Sequence, residues 1–211
     1  MQAPLVIAPE NAVATLPVME TFYSVQGEGF HSGKPAFFIR LGGCDVGCTW
    51  CDVKESWDQS KHPEQYVKTL HEQAAHSGAP IAVITGGEPA MYDLNELTRG
   101  LAERGIQTHL ETSGAYPLSG QWHWICFSPK KFKKPLPEMY QRANELKVVV
   151  YNKHDLQWAL EHAQLVGPEC KLFLQPEWSR KENVMPLIAD FVRLNTEWRI
   201  SLQTHKYMNL P

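Results

Sequence analysis

Short apolar runs alternate along this chain with longer segments of helical spacing. Phe37–Leu41, Ile81–Thr85, Thr108–Glu111, Trp124–Phe127, Leu146–Tyr151, Lys171–Leu174 and Arg199–Leu202 are brief and rich in β-formers, and each predicts a strand. Glu64–His76, Leu94–Arg104, Lys153–Gln164 and Val184–Asn195 space their apolar residues three and four apart, which predicts helices between most of the strands. Pro186 would then sit in the first turn of the last helix, where a missing N–H is tolerated. Strands alternating with helices predict a largely parallel sheet with helical crossovers, either closed as a barrel or left open. No repeat, linker or change of composition divides the 211 residues, so 1–211 reads as one domain.

Polar residues gather where the predicted strands end. Thr85-Gly86-Gly87-Glu88-Pro89 follows one strand, Glu111-Thr112-Ser113-Gly114 the next, and Ser128-Pro129-Lys130 the one after. Gln175-Pro176 and Gln203-Thr204-His205-Lys206 follow two later strands. Ligands collect at the carboxyl edge of parallel strands, and folding alone does not call for five polar strand ends.

Composition excludes several classes. Apolar residues make up 43% and charged residues 20%, as in ordinary folded proteins. The net charge of −3 supplies no basic face, so no direct nucleic-acid partner is expected. Lys130, Lys131, Lys133 and Lys134 form the one basic cluster and read as a solvated loop. No apolar stretch reaches the roughly 20 residues of a membrane span. The first seventeen residues lack Lys and Arg and are broken by Pro4, Pro9 and Pro17, so 1–17 reads as an extended N-terminal arm rather than a signal peptide. That predicts a reducing, cytoplasmic setting, in which cysteines serve more often as ligands than as disulfides. Cys126 and Cys170 stand alone in apolar segments and read as core residues.

Cys44, Cys48 and Cys51 are different. Their C-x3-C-x2-C spacing follows a predicted strand, in a loop that Gly42, Gly43 and Gly47 make tightly foldable. Three thiolates can anchor three irons of a [4Fe–4S] cube and leave the fourth open to a small chelating ligand. A zinc site would want a fourth ligand at knuckle spacing, and the nearest histidines, His31 and His62, do not have it. Gly86 and Gly87 allow a close backbone approach to a ligand, and Glu88 could accept from an ammonium group.

The cysteine triad together with Thr85-Gly86-Gly87-Glu88-Pro89 resembles the signature of radical S-adenosylmethionine (SAM) enzymes, whose GGEP motif binds the SAM amino group. A narrower resemblance runs nearly end to end. Tyr23-Ser-Val-Gln26-Gly27-Glu28-Gly29, Gly33 through Arg40, Glu-Thr-Ser-Gly, Ser-Pro-Lys, Gln-Pro and a His-Lys segment reaching Pro211 are similar to the 7-carboxy-7-deazaguanine synthase family. That resemblance implies a partial, incomplete TIM-type barrel, with Cys44, Cys48 and Cys51 holding the [4Fe–4S] cluster. It implies a carbon–nitrogen lyase of queuosine or other deazapurine biosynthesis, the former serving tRNA modification. Its substrate is 6-carboxy-5,6,7,8-tetrahydropterin, from which a 5′-deoxyadenosyl radical removes hydrogen, giving 7-carboxy-7-deazaguanine with loss of ammonia and regeneration of SAM.

The same resemblance implies substrate contacts from Val25, Gln26, Gly27, Glu28, Arg40, Thr85, Glu111 and the Pro211 carboxylate. It places SAM against Trp50, Cys51, Asp52, Gly87, Glu88, Ser128, Pro129, Lys130, Gln175, Pro176, Glu177 and Trp178. It also implies a flavodoxin or ferredoxin reductant and a homodimer, to whose interface the N-terminal arm could contribute. In one place the chain departs from the pattern. The family's Cys-Asp-Thr supplies a threonine hydroxyl to Mg²⁺, and here the residues are Cys51-Asp52-Val53. Either Mg²⁺ binds through Asp52 or substrate oxygens with waters, or it is dispensable, and weak or absent magnesium dependence is expected. Two other readings share the cysteine spacing: a radical SAM activase acting on a protein partner, and a non-catalytic metal-binding module.

Overall fold

The computed structural model describes residues 14–211. Its strands are β1 (Thr15–Val25), β2 (Pro35–Leu41), β3 (Glu64–Tyr66), β4 (Ile81–Gly86), β5 (Gln107–Thr112), β6 (Trp124–Phe127), β7 (Glu145–Val150), β8 (Lys171–Pro176) and β9 (Trp198–Ile200). The helices are α1 (Val67–Ser77), α2 (Asn95–Ala102), α3 (Met139–Arg142), α4 (His154–Ala163), α5 (Lys181–Leu194) and α6 (Thr204–Met208). All nine strands share one sheet in the order β3-β1-β2-β4-β5-β6-β7-β8-β9. From β2 through β4 to β9 every pairing is parallel, whereas β1 runs antiparallel to both β2 and β3. The result is an open α/β sheet of the incomplete-barrel type.

The pleat sorts each strand into two destinations, because successive side chains leave opposite faces. On the outer face Phe37, Ile39 and Leu41 of β2 and Ala82 and Ile84 of β4 pack with Leu70 of α1 and Leu97 and Leu101 of α2. Leu146, Val148 and Val150 of β7 do the same beside Ala159 of α4 and Val184 and Ile188 of α5. The alternate residues, Phe38 and Arg40, Val83 and Thr85, Lys147 and Val149, face inward and line a cavity.

Four sequence expectations change. The segment Glu64–His76 is not all helix: Glu64–Tyr66 is a short strand paired with Thr15–Pro17, and the helix begins at Val67. Thr15–Pro17 therefore open β1 instead of ending an arm, with Leu16 buried, while residues 1–13 of the expected arm lie outside the described part. The lysine loop is not simply solvated, since Lys131 pairs with Asp155 and Lys133 with Asp45. Finally, α5 starts at Lys181 after a 3₁₀ turn over Trp178–Arg180, so Pro186 falls in its second turn. It is exposed there, and water can serve the carbonyl its ring leaves without a partner.

Pro186→Ala should restore an intrahelical bond worth more than the unfolded-state entropy that proline removes. Stability should rise by about 1–2 kcal/mol. Thermal unfolding would then shift upward by several degrees, roughly 2–4 °C per kcal/mol for a chain of this size.

Candidate active site

One cavity of about 410 Å³ opens at the carboxyl edge of the parallel strands, and it gathers the five polar strand ends. Of the residues expected from sequence to contact ligands, all but Pro129 lie on its wall. Pro129 sits between two residues that do.

The cysteine loop leaves β2 and is held from behind. Gly43 N–H donates to Ser56 O at 2.6 Å, Cys44 N–H to Trp57 O at 3.1 Å, and Cys51 N–H to Cys48 O at 3.1 Å. All three thiols line the cavity, whereas Cys126 and Cys170 do not. Burial pushes the Cys48 thiol up to about 11; Lys130 opposes that rise, and Cys51 and Cys44 add to it. Among the described residues no three His, Cys, Asp or Glu side chains converge as ligands of a single ion. A cube needs less convergence, because each thiolate binds its own iron.

The Gly86-Gly87 pair has a reason that sequence did not supply. Gly86 has φ +126°, and a Cβ there would lie 2.2 Å from Leu41 O; on Gly87 it would lie 2.1 Å from Gly43 O. Gly87 N–H donates to Leu41 O and Glu88 N–H to Gly43 O, both at 2.9 Å. The backbone that approaches these glycines is thus the root of the cysteine loop, and the two loops are clamped together. Glu88 itself is 1% exposed, with its carboxylate turned to the chain. Its Oε1 accepts from Ala90 N–H at 3.1 Å and Thr112 Oγ at 2.6 Å, and its Oε2 from Ser113 N–H at 2.8 Å and from Ser113 Oγ. Glu88 joins the end of β4 to that of β5.

On the opposite wall, the loop after β1 is wedged between β7 and the segment after β9. Gly27 O accepts from Thr204 N–H at 2.9 Å, and a Cβ on Gly27 would meet His205 Nδ1 at 2.0 Å. Gly29, at φ +63°, donates to Ser201 Oγ at 2.9 Å, and Ser201 Oγ donates to Gln175 Oε1 at 2.8 Å. Gln26 turns back to accept from Glu28 N–H at 3.1 Å. Arg40 is oriented by Glu20, which accepts from its Nε at 2.7 Å.

One charged wall residue was not singled out from sequence, and the partners of two that were, Gln203 and Lys206, were not legible there. Lys147 is 3% exposed and donates to Glu28 Oε2 at 2.5 Å and Glu111 Oε2 at 2.9 Å. Gln203 Nε2 donates to Glu28 Oε1 at 3.0 Å, and Lys206 Nζ donates to Asp52 Oδ2 at 2.7 Å. Burial would push the Glu28 carboxyl up, but the Lys147 ammonium and the bonds from Lys147 and Gln203 prevail and lower it to about 2. The available signal was a lone lysine within the apolar run Leu146–Tyr151.

Residues 38–134 match the family described as the Radical SAM superfamily. A 7-carboxy-7-deazaguanine synthase of Flavobacterium psychrophilum is 54% identical over 196 residues, covering 93% of each chain. One from Synechocystis is 48% identical over 95% of this chain and 96% of its own. Among solved structures, the crystal structure of QueE from Escherichia coli aligns with a TM-score of 0.81 at 32% identity, covering 89% of this chain and 93% of that one.

The Glu88 contacts generate a test. Glu88→Gln keeps the shape but sets an amide NH₂ against hydrogen-bond donors. It should destabilise the cluster-free protein by about 1–3 kcal/mol in denaturant unfolding, the cost of buried groups left unpaired.

Proposed function

The chain belongs to the 7-carboxy-7-deazaguanine synthase family of the radical SAM superfamily, and from that membership we propose that it converts 6-carboxy-5,6,7,8-tetrahydropterin to 7-carboxy-7-deazaguanine with release of ammonia. The observation that carries the reading is a single cavity wall shared by the cysteine triad, the Gly86–Glu88 turn and the loop Val25–Glu28.

The residues fit a [4Fe–4S] cluster. Three thiols share one cavity, no fourth described cysteine lies on its wall, and a cube so held keeps one iron free for SAM. When bound, the cluster and SAM supply one-electron cleavage of a C–S bond and hydrogen abstraction from the substrate. What the chain contributes is placement and exclusion of water. Trp50–Asp52, Gly87, Ser128, Lys130 and Gln175–Trp178 form the SAM side. Because the Glu88 oxygens already accept four bonds, this turn would meet the SAM ammonium through its backbone carbonyls. On the substrate side, Glu20 holds Arg40 through Nε, so the Nη edge is offered to the substrate carboxylate as a fork. Gln26, Thr85, Pro211 and the backbone at Val25 and Gly27 answer the donors and acceptors of the heterocycle, and Glu28 and Glu111 close its floor.

The residues do not fit a protein-held Mg²⁺. The Val53 side chain has no oxygen and its carbonyl already accepts from Ser56 Oγ at 2.7 Å, while Asp52 Oδ2 accepts from Lys206 Nζ at 2.7 Å and Gln203 Nε2 at 3.3 Å. Magnesium requires hard oxygen ligands in near-octahedral array, so the reaction should run without it. Residues 1–211 as one domain, a flavodoxin or ferredoxin reductant, a homodimer and a cytoplasmic site complete the proposal. No described helix is long and apolar enough to cross a membrane.

Anaerobic incubation of the reconstituted enzyme with the pterin, SAM and a reductant should yield 7-carboxy-7-deazaguanine by mass spectrometry; SAM cleavage without that product would refute the assignment. Cys48→Ala should bind less iron and lose turnover. EDTA treatment should leave the rate unchanged, and a large Mg²⁺-specific rescue would show that the metal is required after all.

A further inference from the structure

Two residues on the inward face of β7 control the loop after β1. Glu145 Oε2 accepts from Phe30 N–H at 3.0 Å and Trp124 Nε1 at 3.2 Å, and a Cβ on Gly29 would lie 2.0 Å from Glu145 Oε1. Glu145 therefore sets the backbone of the loop. Two residues on, and by the pleat on the same face, Lys147 grips the Glu28 side chain. The same ammonium reaches Glu111 at the end of β5. Two of the three Lys147 N–H groups thus hold carboxylates that come from elements far apart in sequence.

We propose that Lys147 is a positioning residue for substrate recognition: it locks Glu28 and Glu111 side by side on the cavity floor as a paired acceptor for a ring edge bearing adjacent N–H donors. This rests on the pterin reading above, since a 2-amino-4-oxopyrimidine ring presents such an edge. Each carboxylate has about four lone-pair sites, and Lys147 with Gln203 uses two on Glu28, so acceptor capacity remains for a ligand. A cation between two anions leaves the floor one negative charge in excess, which favours donor-rich ligands over anionic ones. Without Lys147, burial and mutual repulsion would drive one carboxyl to take a proton and turn one acceptor into a donor.

The surrounding charges agree with a fixed rather than a titrating group. Burial pulls Lys147 down, but Cys126, Glu111, Glu28 and Glu145 prevail and hold it well above the usual lysine value. Lys130 also faces it, and Glu28 additionally faces His205 and Asp52. With Glu28 lowered to about 2, neither Glu28 nor Lys147 changes charge near neutral pH.

The test compares wild-type holoenzyme with Lys147→Met, Lys147→Arg and the double variant Lys147→Gln/Glu111→Gln, which keeps the net charge of the floor. Lys147→Met should raise KM for the pterin by about tenfold or more, the worth of a charged hydrogen-bond pair, with SAM binding unchanged. Its kcat/KM should also fall as pH drops through the raised pKa of the carboxyl left without its cation, a limb absent from wild type. Lys147→Arg, able to span both carboxylates, should restore the flat profile. If Lys147→Met does not fold, the double variant carries the same KM prediction. Wild-type KM and pH dependence in a folded Lys147→Met or double variant would overturn the proposal. Product formation by wild type reports on the pterin reading: its absence overturns both, whereas wild-type product with unaltered variants overturns only the role of Lys147.

Discussion

The sheet does not close on itself, and the site depends on how the gap is sealed. Among the described residues strand β9 pairs only with β8, and the opposite end of the sheet is the antiparallel ribbon β1–β3. Across the opening, the loop after β1 docks on the segment after β9 through Gly27 O with Thr204, Gly29 with Ser201, and Glu28 with Gln203. Ligand-facing groups from the two extremes of the chain are thereby brought onto one wall. The seal is made of backbone and polar groups, so it works only where glycines let the loops approach.

Buried charge is the second organising constraint. An unpaired ammonium or carboxylate inside this sheet would cost several kcal/mol, and such groups persist only when paired and hydrogen-bonded. Lys147 meets that condition with two carboxylates, Glu145 with Phe30 N–H and Trp124, and Glu88 with four donors. Each network ties together strand ends that are distant in sequence. The polar interior thus holds the loops in register as well as offering groups to a ligand.

Much of this was legible beforehand, and the exceptions have physical causes. The seven apolar runs became β2 and β4 through β9, because buried parallel strands keep an apolar character on both faces. Strand β1 was not foreseen: its residues alternate irregularly, and a bulge between Val18 and Glu20 breaks the period. Glu64–Tyr66 looked like the head of a helix because pairing with Thr15–Pro17, fifty residues earlier, is invisible to local pattern. In the site, short motifs announced the cysteines, the Gly86–Glu88 turn and Gln26–Gly29, but not what presses against their glycines.

Sequence alone determined the class of chemistry, because three closely spaced thiols and a glycine pair after successive strands are local features that survive without coordinates. For the apolar runs it announced it also determined parity, and hence that in β7 Lys147 shares a face with Val149 and not with Val148. Only the tertiary structure decided which charges meet. Lys147, Glu28 and Glu111 belong to three separate elements, and their pairing follows from strand order and the closing of the open edge, quantities that no window of sequence contains.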